Sequence, residues 1–213
     1  MKYTYNCIKT KDKIKIDGKL NEKIWGKLKP VGPFQFPWAK KVDLKQKTVA
    51  KLTWDDKYLY LGYLAYDKDI QAIKRGRKGN VWLDDVVEIF LAPTLNDKSY
   101  FGFELNALGD LLDYKAKVYR KFNYKWIAKG IKTATFIKKG KFFSAEFAIP
   151  FSAIKKYPKN ETIWNIGLFR VDYNIVHCIK KDEYSLWKPS GTKTPDYHRL
   201  KAFGKLAFKD TCK

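Results

Sequence analysis

The sequence predicts an all-β protein, a two-sheet antiparallel β-sandwich with one or two short helices. Three observations carry this. Short runs rich in Val, Ile, Tyr and Phe recur along the chain with turn residues between them. Helical periodicity is confined to two brief segments. Aromatic residues make up 16% and hydrophobic ones 45% of the 213 residues, enough for a sizeable core and far from the composition of a disordered chain.

The elements follow in order. A first strand is expected near 13–16, where Lys and Ile alternate. Behind the turn Asp17-Gly18, Leu20 to Lys27 places Leu20 and Ile24 one helical turn apart. Strands are expected near 47–54 and 58–66; the second, YLYLGYLAY, is apolar on both faces and suits a strand buried between two layers. Further strands are expected near 86–92, 99–106, 111–118, 131–137 and 142–149. Pro150 then opens a single helical turn to Ile154, and strands near 163–173 and 203–208 complete the set. Nothing repeats at a fixed period and no Pro/Gly/Ser linker divides the chain, which reads as one domain, residues 1–213, with its core at about 14–208.

The net charge is +22, large enough to draw anionic partners towards the molecule. Only five of the basic residues are arginine, however, and the 39 lysines are scattered over nearly every segment. Readers of bases and phosphates use arginine forks, whereas dispersed lysine gives salt-sensitive, non-specific attraction. No specific nucleic-acid function is expected, and anionic glycans are a secondary partner class. The three cysteines, Cys7, Cys178 and Cys212, have no metal-ligand spacing, so zinc is not expected; Cys7 and Cys212 lie near the two termini and would pair if the ends meet. The opening residues lack the apolar run of a secretory signal and no later run approaches a membrane span. An extracellular or periplasmic location follows if a signal was trimmed, a cytoplasmic one otherwise; a monomer is expected.

Two strands carry the functional signal. In Val86 to Leu91, Val87, Ile89 and Leu91 share one face while Val86, Glu88 and Phe90 share the other. In Tyr100 to Asn106, Phe101, Phe103 and Leu105 share one face and Tyr100, Gly102, Glu104 and Asn106 the other. Each strand thus offers an apolar face to a core and a second face with a glutamate and an aromatic ring. Trp82, in the loop leading into Val86, is placed to add another ring. A sugar presents hydroxyls around its edge and a C–H face above and below, so rings flanking carboxylates and amides suit it. Trp25, Trp54, Trp126 and Trp164 fall within strand and helix patterns and are assigned to the core.

The order IDGKLNEKIW (Ile16 to Trp25), KLTWDDKYLYLGYLAYD (Lys51 to Asp67), VWLDDVVEIFLAP (Val81 to Pro93) and YFGFELNALGDLLD (Tyr100 to Asp113) resembles the family 9 carbohydrate-binding modules of the DOMON-like superfamily. FFSAEFAIPFSAI (Phe142 to Ile154), IWNIGLFR (Ile163 to Arg170) and LWKPSGTKTPDYHRLKAFGKLAF (Leu186 to Phe208) extend the resemblance over nearly the whole chain. The resemblance implies a non-catalytic β-sandwich that holds an oligosaccharide or polysaccharide end between two tryptophans and serves polysaccharide degradation. On that reading Trp82 matches the first tryptophan, Glu88 matches the ligand-binding glutamate, and Tyr197 stands where the second tryptophan falls. Where the family's xylanase-borne modules carry an arginine, this chain has Glu104, and a carboxylate only accepts. Arg170 or Lys115 would restore a donor; Arg170 would equally serve as an ion-pair partner of Glu104 or Glu88. Trp187, Asp196 and His198 are expected at the same rim.

Cofactors are not expected. Calcium is left open through Asp55, Asp56, Asp67 and Asp69, although Asp55-Asp56 before Lys57 reads more simply as a turn. Three rivals remain. Glu88 and Glu104 offer the paired carboxylates of a glycosidase, without any other catalytic constellation. A DOMON-type haem b domain would have to ligate iron through His177 and His198, with or without a lysine. Salt-sensitive binding of anionic polymers through the lysine-rich surface is the third.

Overall fold

In the computed structural model, which describes residues 2–40, 44–73, 76–95, 98–176 and 179–210, strands and turns alternate almost throughout. Among the described residues the strands are β1 (Thr4–Lys9), β2 (Thr48–Trp54), β3 (Tyr58–Tyr66), β4 (Val86–Ala92), β5 (Ser99–Asn106), β6 (Leu111–Lys117), β7 (Lys121–Asn123), β8 (Lys132–Lys138), β9 (Phe142–Pro150), β10 (Ile163–Val176), β11 (Ile179–Leu186) and β12 (Gly204–Lys209). Helix among the described residues is limited to α1 (Lys23–Lys27), α2 (Phe151–Ile154) and two 3-10 turns, Val81–Leu83 and Leu200–Ala202. Among the described residues no helix is long and apolar enough to cross a membrane.

The strands join in one curled sheet, ordered β7-β6-β5-β4-β10-β12-β1-β2-β3-β9-β8, with β11 pairing the second half of the long β10, beyond the stretch that pairs with β12. Two separate sheets were expected. The join comes from β1, which the sequence reading did not anticipate: it pairs in parallel with β12 from Thr4 to Ile8, and with β2 at Ile8 and Lys9. Alternating Tyr5 and Cys7 are its buried positions. The segment 13–16 is not a strand. Its Ile14 and Ile16 instead pack over Ile24, Trp25, Leu28, Tyr60 and Ala148. Its successor turn is held by the Glu146 carboxylate, which accepts from the Asp17 and Gly18 amides and from the Trp25 indole.

Curling brings the inward faces of both halves onto one apolar cluster. Val87, Ile89 and Leu91 of β4 and Phe103 and Leu105 of β5 meet Leu52, Leu61, Tyr63, Phe147 and Ile149 there. The Tyr63 hydroxyl crosses that interior to donate to the Glu88 carbonyl, 2.9 Å away. Trp54 and Trp164 are buried in this cluster, and Trp126 packs against it. Cys7 is also buried within it; Cys178, Cys212 and His177 lie outside the described residues.

On the opposite face of β4 lies a second apolar cluster, and two glycines shape it. Phe90 is flanked in register by Gly102 of β5 and Gly167 of β10. The space above each glycine is filled by a ring. A Cβ at Gly102 would meet Tyr114 Cζ at 2.2 Å, and one at Gly167 would meet Phe169 Cζ at 2.4 Å. Tyr114 and Phe169 therefore lie close over the sheet beside Phe90, and this aromatic layer is the base on which the site stands.

Candidate functional site

A depression of about 710 Å³ opens over this second face. Its floor contains Glu88, Glu104, Tyr114, Val171 and Tyr197; Trp82, Tyr124, Tyr173, Tyr184 and Asp182 stand around it with Arg120, Asp196 and His198. A second depression of about 560 Å³, beside β1, contains Lys27, Lys29 and Lys209 but only Tyr5 as an aromatic residue, and that ring is buried. The first offers both rings and carboxylates.

Glu88 and Glu104 are Cα partners across the β4–β5 ladder, so their side chains leave the same face directly opposite one another. Both are nearly enclosed, 4% and 5% exposed. Tyr114, pressed over Gly102, donates its hydroxyl to Glu104 Oε1 at 2.8 Å. Glu104 Oε2 is buried with no hydrogen-bond partner among the described residues. Burial pushes the Glu104 carboxyl up to about 7 against the pull of the Tyr114 bond. Glu88 is raised as well, by burial and then by the Glu104 charge, while Arg120 opposes the rise.

Trp82 is 37% exposed, on the short turn Val81–Leu83. Val81 is buried beneath it, and the Trp82 carbonyl accepts from the Tyr173 hydroxyl at 3.0 Å. The turn is tied down again through Asp85, whose carboxylate accepts from the Tyr173 amide at 2.6 Å and from the Gln71 amide. A ring with a fixed backbone and a free face is what stacking on a sugar requires.

The other end is built by Asp196. Its carboxylate accepts from Arg199 at 2.8 Å, from Arg120 at 3.2 Å and from the Tyr119 hydroxyl at 3.0 Å. Burial works against the Asp196 charge, but these donors hold its carboxyl below the ordinary value. His198 stacks on Phe90 with ring centres 5.0 Å apart, and its Nδ1 lies 2.6 Å from the Tyr100 hydroxyl. Burial, reinforced by the Arg120 charge, pushes it down to about 4, so the ring is neutral at pH 7.

The residues singled out in the sequence divide into two groups. Trp82, Glu88, Glu104 and Tyr197 meet at this depression, together with Asp196 and His198. Tyr197 belongs to the wall and not to an open clamp: it is 7% exposed, stacks on Phe169 at 4.4 Å and donates its hydroxyl to the Arg170 carbonyl. Arg170, Asn106 and Trp187 lie elsewhere. Arg170 pairs in register with Val87, so its side chain points to the inner face; there it bonds Asp67 at 2.8 Å and Asp172 at 3.1 Å and touches neither glutamate. Asn106 binds Asp84 and the Asp110 amide. Trp187 packs over Gly204 in the main core. Lys115 lies over the Phe101 ring.

Arg120, Phe122, Tyr124 and Tyr184 were missed. Phe122 lies in β7, three residues long, with Arg120 and Tyr124 just before and after it, and Tyr184 lies in β11, the charged run IKKDEYSL. The available signals were the aromatic-rich YRKFNYKW and the alternation of Asp182, Tyr184 and Leu186.

The aspartates considered for calcium do not converge. Asp55 closes the β2–β3 turn by accepting from the Lys57 and Tyr58 amides, and Asp56 pairs with Lys9. Asp67 lies at the far end of β3. It instead meets Asp85 and Asp172, with carboxylate oxygens all within 4.8 Å of one another. Arg170 supplies positive charge to this buried group.

The model of the carbohydrate family 9 binding domain-like family matches residues 16–211, and the chain belongs to that family, a class of non-catalytic carbohydrate-binding modules. Solved structures agree in fold. A proposed carbohydrate-binding protein from Bacteroides uniformis is 18% identical with a TM-score of 0.79, over 97% of this chain and 99% of that one. A family 9 carbohydrate-binding module from Caldicellulosiruptor kristjanssonii in complex with cellotriose is 17% identical with a TM-score of 0.69, over 98% and 95%. A family 9 carbohydrate-binding module from the same organism in complex with glucose is 17% identical with a TM-score of 0.65, over 98% and 97%. No curated protein matches the chain.

Proposed function

We propose that the depression over β4 and β5 holds the end of an oligosaccharide, with the Trp82 ring against one sugar face and Glu88, Glu104 and Arg120 bonding its edge. The observation that carries this is an exposed tryptophan standing over two buried carboxylates, one of which keeps an oxygen with no hydrogen bond. Hydroxyl donors from a sugar satisfy such an acceptor, and removal of a partner for a buried polar group is what makes recognition selective. Tyr124, 46% exposed, offers a second ring. Its stacking on Phe122, with ring centres 5.4 Å apart, fixes its plane.

Cellotriose and glucose, the ligands of the Caldicellulosiruptor modules, are the first compounds to test. Calorimetric titration of the intact protein should show saturable binding that weakens at least about tenfold in Trp82→Ala, the size expected for losing one stacked ring. Binding unaffected by Trp82→Ala and by Glu88→Gln would place the sugar elsewhere.

A further inference from the structure

The charge of this depression runs opposite to that of the protein. The chain carries 39 lysines and a net charge of +22, yet among the described residues none that lines the depression is a lysine. Among the described residues its carboxylates are Glu88, Glu104, Asp182 and Asp196, against one cation, Arg120. Arg120 bonds Asp196 and the Tyr119 hydroxyl through Nη2 and Nε. Asp182 receives the Tyr184 hydroxyl at the margin. Among the described residues, Glu88 and Glu104 therefore face each other with no basic side chain bonded to either.

Among the described residues, the groups around that pair bring no bonded cation to it. Tyr114 from β6 donates one bond; Tyr173 from β10 and Tyr184 from β11 are phenols, raised by burial; Tyr197 donates away to backbone carbonyls. His198 is neutral and turned to Tyr100. Two acceptors side by side in a site of low polarity favour a ligand group that is both a multiple donor and positively charged.

We propose that the sugar selected here carries a protonated primary amine: a non-acetylated amino-sugar unit of an oligosaccharide, its ammonium seated between Glu88 and Glu104 and its ring against Trp82. This rests on the reading of the depression as the sugar site and specifies what that site takes. An ammonium has three donors, which match Glu104 Oε2 and the Glu88 carboxylate, whereas an N-acetyl group offers one neutral N–H. Because burial and mutual repulsion favour a proton on the empty pair, seating the ammonium releases protons to solvent. The lysine surface repels such a ligand from a distance. That repulsion is screened beyond about 8 Å at physiological salt, while the enclosed contact is screened far less.

The test is a calorimetric titration at about pH 6.5 with three trisaccharides: deacetylated glucosamine trimer, its N-acetylated counterpart, and cellotriose. The expected result is at least about tenfold tighter binding of the amine, as charge-assisted bonds imply. Its enthalpy should depend on the buffer because protons are released, and its affinity should hold or rise with added salt. Glu104→Gln, and separately Glu88→Gln, should shrink the preference for the amine over cellotriose to about threefold or less. Cellotriose binding as tightly as the amine, with loss in Trp82→Ala, would overturn the amine assignment and leave the sugar site standing. Failure of all three sugars to bind would overturn both.

Discussion

Replacing Glu104 by glutamine should make the protein more stable above neutral pH. The carboxyl is 5% exposed and burial pushes it from 4.5 up to about 7. The folded state therefore holds a proton that the unfolded chain releases between about pH 4.5 and 7. Stability from this group is complete below about 4.5 and is lost as pH rises through about 7. A rise of that size corresponds to about 3 kcal/mol, and with Glu88 still present it is a ceiling. Glutamine does not titrate, keeps an oxygen to accept from Tyr114, and brings no extra volume. For a chain of this length about 3 kcal/mol corresponds to about 6–12 °C in Tm. Thermal unfolding followed by circular dichroism at pH 4 and pH 8 is the assay. The variant should match the wild type at pH 4 and exceed it at pH 8. Parallel pH profiles for the two proteins, or a variant less stable at pH 8, would refute the reasoning.

Trp82→Ala should leave Tm within about 2 °C, because the ring is partly exposed and away from the main core, while oligosaccharide affinity falls; melting and titration of the same sample check both. Arg170→Met should destabilise by about 3–5 kcal/mol at pH 8, since it strands Asp67 and Asp172 without their cation, and by less at pH 5, below the value of about 7 to which burial pushes the Asp172 carboxyl; denaturant unfolding at the two pH values reads the difference. Gly102→Ala should cost about 1–3 kcal/mol, because its Cβ would fall 2.2 Å from Tyr114 Cζ; the displaced phenol would also loosen its bond to Glu104, visible as weakened sugar binding.

Side-chain alternation made part of this molecule readable. It assigned Val87, Ile89 and Leu91 to the core and Glu88 to the other face, where the structure has them. The limits 58–66, 86–92 and 99–106 coincide with β3, β4 and β5, whose apolar runs end at Asp, Pro and turn residues. Phe90 and Tyr100 were expected on the ligand surface but lie fully buried beneath it, because His198 and Phe203 cover them from a distant segment. Arg170 was assigned on residue type, whereas its face depends on the β4–β10 register, which puts Phe169 beside Glu88. The Lys-Ile alternation at 13–16 has the period of a strand but no partner strand, and β1 gained one only through distant β12. Arg120 and Tyr124 reach the site through the short β6–β7 return, whose existence depends on pairing and not on composition. Local pattern fixes which face a side chain takes, while register and long-range pairing fix what it meets there.

The most direct measurement is an NMR titration of the labelled protein with cellotriose and with deacetylated glucosamine trimer, recording backbone amide and tryptophan indole shifts. The expected result is a saturable set of changes centred on the Trp82 indole and on the amides of Glu88, Glu104, Arg120 and Tyr184. Changes confined to the second depression, around Asn6, Lys29 and Asn160, would contradict the assignment of the sugar site.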